Sequence, residues 1–249
     1  MQKKLIEHNY ASKDYLRLPK IDKKKRFSLL NDEQSKQFAK VLYAEKNIRI
    51  QTALMIALFM GLRRGEIAGL EFGDIDFIKG TMKIQRTSCT VEGKGIITKD
   101  TKTTSSEREL SIPATLLKQL MEYKIWWDKR QNLFKERWGD SDRLFISPKG
   151  KPIYPNSIGQ WLKKILEKCG LPKVTLHSLR HTNLTMLLIN GTDIKTVAGR
   201  AGHSDASVTL KNYAHFLATP DKVASQKLDE IFSVQEDDDF GYELKENFI

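Results

Sequence analysis

TLHSLRHTNL, residues 175–184, sets two histidines around one arginine, with His177 and His181 four positions apart. Four residues is just over one helical turn, so the two imidazoles would share a face, as they do on zinc-binding helices. The same stretch also reads as an anion site, because Arg180 follows His177 by three positions and would share a face with it too. A zinc helix of protease type needs a glutamate beside the first histidine, and Ser178 stands there instead. Arg180 further places a permanent cation between the imidazoles, with no carboxylate in the stretch to offset it. No paired carboxylates suit magnesium either, so no metal is expected.

The bulk of the chain supports the anion reading. At 249 residues, 40% hydrophobic and 29% charged, it has the make-up of a globular protein with a real core. The net charge is +11, and it is unevenly spread: from Asp229 onward there are eight acidic residues and one lysine, leaving residues 1–228 at +18. A body that basic suggests a polyanionic partner, nucleic acid first, although ribosomal proteins and binders of anionic membranes share such a charge. The longest apolar run, ALMIALFM at 53–60, is a buried helix rather than a membrane span, and the N-terminus lacks a signal-peptide core. Cytoplasmic location is the default expectation. Cys89 and Cys169 lie 80 positions apart and form no ligand pair, so they read as packing residues in a reducing compartment.

Local patterning predicts a mainly α chain with a small antiparallel β-sheet, an α+β architecture. Asn31 or Asp32 caps a helix running to about residue 44, with Phe38, Val41 and Leu42 on its apolar face. A second helix covers about 48–60, Gly61 interrupts it, and a short helix follows to residue 70. Residues 81–91, 96–98 and 108–112 read as strands, with a turn at 92–95. Further helices are expected at about 114–132, 156–169, 176–189, 194–200, 208–213 and 221–232. Residues 1–26 form a basic linker or the remnant of an upstream domain, 27–232 one domain, and 233–249 an acidic tail.

Three more stretches carry chemistry. GLRRGEIAGL (61–70) puts two arginines and a glutamate at a glycine-broken helix junction. TKDTKTTSSEREL (98–110) is a lysine-bearing polar loop between strands, and GRAGHSDASVTLKNYAHF (199–216) holds His203 and Tyr213. Phosphoryl transfer needs charge on the non-bridging oxygens neutralised, a nucleophile, and a proton for the leaving oxygen. Arg63, Arg180 and His203 supply the first, Tyr213 can be the nucleophile and Lys102 the proton donor, so neither metal nor other cofactor is required. Taken singly, each has a plainer reading: Arg63 as a solvated helix start, His177 as a cap, Tyr213 as a core residue.

The four stretches together, in this order, resemble the catalytic domain of the tyrosine recombinases, the phage-integrase family, from about Phe27 to Phe216. The subtype most resembles integrases of conjugative transposons. The resemblance implies Arg63 as the first catalytic arginine with Glu66 supporting it, His177 and Arg180 as the HxxR pair, His203 as the later histidine and Tyr213 as the nucleophile. It places the catalytic lysine at Lys102, with Lys99 and Lys94 as neighbouring alternatives. Where the family more often has Leu-Gly-His this chain has Ala201-Gly202-His203, a conservative departure. Arg64, Lys99 and Lys211 read as DNA-contacting neighbours, and His181 as a packing or positioning residue outside the reacting set.

The function so implied is site-specific recombination or integration of a mobile element through a covalent 3′-phosphotyrosine, without metal or ATP. The expected partners are double-stranded DNA and other recombinase protomers engaged by the C-terminal segment, whose anchors are Phe240, Tyr242, Leu244, Phe248 and Ile249. No membrane or small-molecule substrate is expected. Two other readings use the same residues: a type IB topoisomerase that only relaxes DNA, and a non-catalytic DNA-binding regulator whose arginines merely touch phosphate.

Overall fold

The computed structural model describes residues 29–100, 107–134, 142–147 and 150–203, together with 205, 207, 209, 225 and 228–232. Helix α1 spans Asp32–Tyr43, and of the two cap candidates Asn31 is the one used: its side chain accepts from Gln34 N–H while the Gln34 side chain accepts from Asn31 N–H. That reciprocal pair satisfies two of the amide donors a helix start leaves open. Phe38 and Leu42, one turn apart, fix its buried face.

Helix α2, Ile48–Met60, is apolar around its circumference and is the central element. It packs against α1, α4 (Ala114–Leu133), α5 (Pro155–Lys168) and α6 (Leu176–Ile189). Being covered on several sides explains why its sequence shows no polar stripe. It ends at Gly61, whose φ of +62° is the left-handed conformation that glycine adopts without strain. The Asn183 amide of α6 donates to the Leu58 and Phe59 carbonyls, so the α2 end is satisfied from a neighbouring helix.

After α3 (Arg64–Gly69) and a 3-10 turn at Phe72–Asp74, the chain forms five short strands: β1 Ile75–Asp76, β2 Thr81–Ile84, β3 Arg86–Val91, β4 Gly95–Asp100 and β5 Arg108–Ser111. The mainly helical fold class with antiparallel strands is the one read from the sequence. The single strand expected at 81–91 is instead broken after Ile84. Its halves serve two sheets, β1-β2-β5 and the hairpin β3-β4. Side-chain chemistry explains the break. Met82 and Ile84 point into the core, whereas the Gln85 amide and Arg86 guanidinium turn to Asp74, and Arg86 also pairs with Glu71. Anchoring two consecutive residues to one carboxylate cluster cannot coexist with strand alternation.

The hairpin lies against α3, and two glycines permit the approach. A Cβ on Gly65 would sit 2.3 Å from Thr87 Oγ1, and one on Gly69 would sit 3.1 Å from the Arg86 carbonyl oxygen. Arg143 ties the same region together, donating to the Gly69 carbonyl and, at 2.7 Å, to Thr98 Oγ1 on β4. Helix α7, Ile194–Ala201, closes a separate small cluster with Leu184, Leu188 and Val197. Of the two cysteines, Cys89 is exposed on β3 rather than packed inside, a correction to the expectation for it. The reason is alternation: Ser88, its neighbour, takes the buried position. Among the described residues no helix is long and apolar enough to cross a membrane.

Candidate active site

Gly61 delivers the chain from α2 into Leu62, which is buried, and Arg63, which stands at the start of α3. Glu66, three residues on, turns back: its carboxylate accepts from Arg63 N–H at 2.8 Å and from Arg63 Nη1 at 2.8 Å. Glu66 is only 3% exposed. Burial pushes its pKa up, but the hydrogen bonds and charge of Arg108, with those of Arg63, outweigh this and hold it below the usual carboxylate range.

Arg180, on the buried side of α6, extends to the same junction. Its Nη1 donates to the Gly61 carbonyl at 2.8 Å, its Nη2 donates to the Ala201 carbonyl, and that Nη2 lies 3.3 Å from His203 Nε2. His203 follows the left-handed cap Gly202 of α7, and its Nδ1 lies 2.8 Å from Thr209 Oγ1. Arg63 Nη2 reaches the Gly202 carbonyl at 3.2 Å. Three segments far apart in sequence are therefore tied at one point.

His177 sits exposed on the first turn of α6, facing a cleft of about 930 Å3 that Arg63, Arg64 and Arg180 also line. Its neighbour is His181, whose Nε2 is 2.9 Å from His177 Nε2. The shared helical face anticipated for the HxxxH spacing is thus real, but its second imidazole contacts the first. Desolvation lowers the pKa of His177, helped by the charges of Arg180 and Arg63. Desolvation likewise depresses His181 to about 4, with His177 and Arg180 contributing, and His203 to about 4, with Arg180 and Arg63 contributing. All three imidazoles are neutral at pH 7, so the positive charge here resides on guanidinium groups, which do not titrate in this range.

Arg63, Glu66, His177, Arg180 and His203 come together, and Arg64 lines the same cleft. Lys99 is exposed on β4 and Lys94 is exposed in the β3–β4 turn. Lys102, Lys211 and Tyr213 lie outside the described residues, as do residues 1–26 and the tail 233–249. Among the described residues no group of three or more histidine, cysteine, aspartate or glutamate side chains is placed to hold a metal ion.

Sequence reading missed Arg108. It is 7% exposed in its side chain and forks onto Glu66, Nη1 to Oε1 at 3.2 Å and Nη2 to Oε2 at 3.0 Å. A signal was present: Leu110 and Ile112 are buried, so alternation puts Arg108 on the same inward face, where a charge requires a partner. Lys163 on α5 and Lys173 before α6 also line the cleft and went unremarked. They had no motif around them and resemble any surface lysine in sequence.

Residues 28–219 match the phage integrase family. A tyrosine recombinase XerC-like protein of Caldanaerobacter subterraneus is 30% identical over 217 residues, covering 81% of this chain and 54% of that protein. The ICEBs1 integrase of Bacillus subtilis is 28% identical, covering 86% of this chain and 57% of the relative. This chain therefore spans little more than half the length of these curated relatives. Among solved structures, the Tn1549 transposon integrase in complex with a circular intermediate DNA superposes with a TM-score of 0.69 at 23% identity, covering 88% of this chain and 69% of that one. XerA recombinase superposes with a TM-score of 0.59 at 22% identity, covering 84% and 66%.

Proposed function

This chain belongs to the phage integrase family, and from that premise we propose that it is the catalytic part of a site-specific DNA recombinase of a mobile element. The observation that carries the reading is the convergence of Arg63 and Arg180 with His177 and His203 beside one open cleft. Arg63 and Arg108 share the single carboxylate of Glu66, and Arg180 is tied to the same junction through the Gly61 and Ala201 carbonyls, so the cluster holds excess positive charge. Such a cluster suits the developing charge on a phosphodiester in its transition state, where fixed donors act most strongly away from water.

In this mechanism the Tyr213 oxygen attacks the scissile phosphorus. A new P–O bond forms to tyrosine, the P–O bond to the 5′ oxygen breaks, and a 3′-phosphotyrosyl link remains. A free tyrosine phenol has a pKa of about 10, so the Tyr213 proton needs an acceptor. The neutral imidazole of His177 takes it, and Lys102 returns one to the departing 5′ oxygen. Arg63, Arg180 and His203 hold the non-bridging oxygens. Because the phosphotyrosyl link conserves the bond, attack by another 5′-hydroxyl rejoins DNA with no nucleotide hydrolysed. Arg64, Lys99 and Lys211 contact the flanking backbone.

The second partner is another copy of the protein, engaged by the C-terminal segment. Supporting this, Leu228, Ile231 and Phe232 are 53%, 69% and 72% exposed at helical spacing just before the acidic tail. An apolar face of that kind is commonly a contact surface.

The test is covalent capture on nicked duplexes taken from DNA flanking the gene, with the adducted peptide located by mass spectrometry. The adduct should map to Tyr213 and be absent in Tyr213→Phe. An adduct on another residue overturns the nucleophile assignment. Plasmid relaxation without exchange between sites would overturn recombination in favour of a topoisomerase.

A further inference from the structure

The C-terminal end of α7 is gripped by three arginines from three different elements. Arg108 Nε donates to the Arg200 carbonyl at 2.9 Å, Arg180 Nη2 to the Ala201 carbonyl, and Arg63 Nη2 to the Gly202 carbonyl at 3.2 Å. These successive carbonyls are ones that a helix end leaves without internal partners, and they carry the negative pole of its dipole. Two of the three arginines already belong to the proposed phosphate site. Arg108 does not line the cleft and is buried behind it.

We propose that Arg108 is a positioning residue that aims Arg63 at the phosphate and fixes the turn carrying His203; this rests on the phosphate-site reading above. The Glu66 carboxylate is divided between two arginines. Oε1 accepts from Arg63 Nη1 and Arg108 Nη1, and Oε2 accepts from Arg63 N–H and Arg108 Nη2. The planar fork of Arg108 thus holds both oxygens, whereas Arg63 contributes one side-chain nitrogen. A carboxylate normally favours a two-point fork. Without Arg108, Glu66 is free to take the Arg63 fork, drawing that guanidinium back and neutralising it. With Arg108 in place one carboxylate faces two guanidiniums, and the surplus charge is presented by Arg63, whose side chain is 43% exposed.

The second arm of Arg108 acts on the turn. Its Nε holds the Arg200 carbonyl, and a Cβ added to Gly202 would lie 2.8 Å from Arg108 Nη1. Side chain and turn are therefore in direct contact. One residue links the arginine of α3 to the histidine after α7, which have no covalent proximity.

Inorganic phosphate is the probe, its affinity read from the Arg63 and His203 side-chain NMR signals. Arg108→Lys keeps the charge but replaces a fork with a single point, which cannot span Glu66 and the Arg200 carbonyl. Phosphate affinity should fall at least about fivefold in Arg108→Lys and by less than about twofold more when added to Arg63→Lys, because Arg108 acts through Arg63. Equal losses on both backgrounds, or no loss, overturn the proposal. The pair Glu66→Gln with Arg108→Met guards against misfolding, since replacing a whole buried ion pair is often tolerated. It removes one positive and one negative charge, leaving the net charge of the site unchanged. Weaker phosphate binding by this pair then reports lost positioning, and unchanged binding overturns it. Phosphate needs no recombination site, so a failure to form the covalent DNA adduct would count against the proposed function and leave the Arg108 result readable.

Discussion

His177 and His181, one turn apart on α6, meet edge to face, with ring centroids 4.4 Å apart, planes at 83° and Nε2 atoms 2.9 Å apart. The environment lowers both pKa values, so at neutral pH one neutral ring donates to the other. His181 is in a position to decide which nitrogen of His177 carries a proton. In the proposed chemistry that matters directly, because His177 must have a free lone pair to accept the tyrosine proton. His181→Phe should slow single-turnover adduct formation by roughly tenfold while leaving DNA affinity unchanged. An unaltered rate would remove His181 from any role beyond packing.

Protonation should undermine the fold on the acid side of neutrality. His181 and His203 are depressed to about 4 from an ordinary 6.5, so between these values the unfolded chain binds more protons than the folded one. Stability then falls as pH drops from about 6.5 to about 4 and these two groups add nothing further below that. Melting temperatures across this range should show the decline, and it should be shallower in His181→Asn. An equal slope in that variant contradicts the shift assigned to His181.

The two site arginines should separate stability from activity. Arg180 is 3% exposed and satisfies two backbone carbonyls, whereas the Arg63 side chain is 43% exposed. Arg180→Met should cost about 2–4 kcal/mol in urea unfolding by stranding buried acceptors. Arg63→Gln should retain more of the native stability. Each should lower adduct formation by about 10²–10³. Equal destabilisation by both would mean that their difference in burial has no energetic consequence.

Gly65→Ala tests the approach of α3 to β3. The added methyl meets Thr87 Oγ1 at 2.3 Å and the Ser88 carbonyl oxygen at 2.8 Å. Separating these elements should cost about 1–3 kcal/mol. It also displaces Arg63 and Glu66, which belong to the same short helix junction. A variant with wild-type melting and wild-type adduct yield would show the contact to be slack.

Lys163 and Lys173 line the cleft beside the arginines. If DNA lies in it, replacing either with alanine should weaken binding uniformly across sequences. Each lost phosphate contact should also flatten the plot of log affinity against log salt by about 0.9. A slope identical to wild type places the duplex elsewhere.

Removing residues 233–249 should change how protomers assemble on DNA, visible as altered order or rate of cleavage among them in gel-resolved complexes. Cleavage and assembly indistinguishable from the full chain would remove the tail from any contact between protomers.

Much of this architecture can be read without coordinates, for physical reasons. Asn31 and Gln34 cap α1 through contacts three residues apart, Gly61 ends α2 through its own backbone freedom, and apolar spacing sets each helix. The cluster of Arg63, His177, Arg180 and His203 was legible because its members sit in short co-ordered motifs. The break after Ile84 was not, since it depends on Asp74 and Glu71 across the sheet edge. Arg108 escaped notice for the same reason: its partners, Glu66 and the Arg200 carbonyl, are 42 and 92 positions away.

The sequence by itself therefore determined most of the helices, the two ends marked by Asn31 and Gly61, and the residue types available for phosphate chemistry, because those follow from contacts within about one helical turn. Only the tertiary structure decided how the charges are shared. Two arginines divide one carboxylate, and three grip successive carbonyls at a helix end. Those bonds arise when packing of α3, α6, α7 and β5 excludes water from groups distant in the chain, and buried charges must then find partners in space.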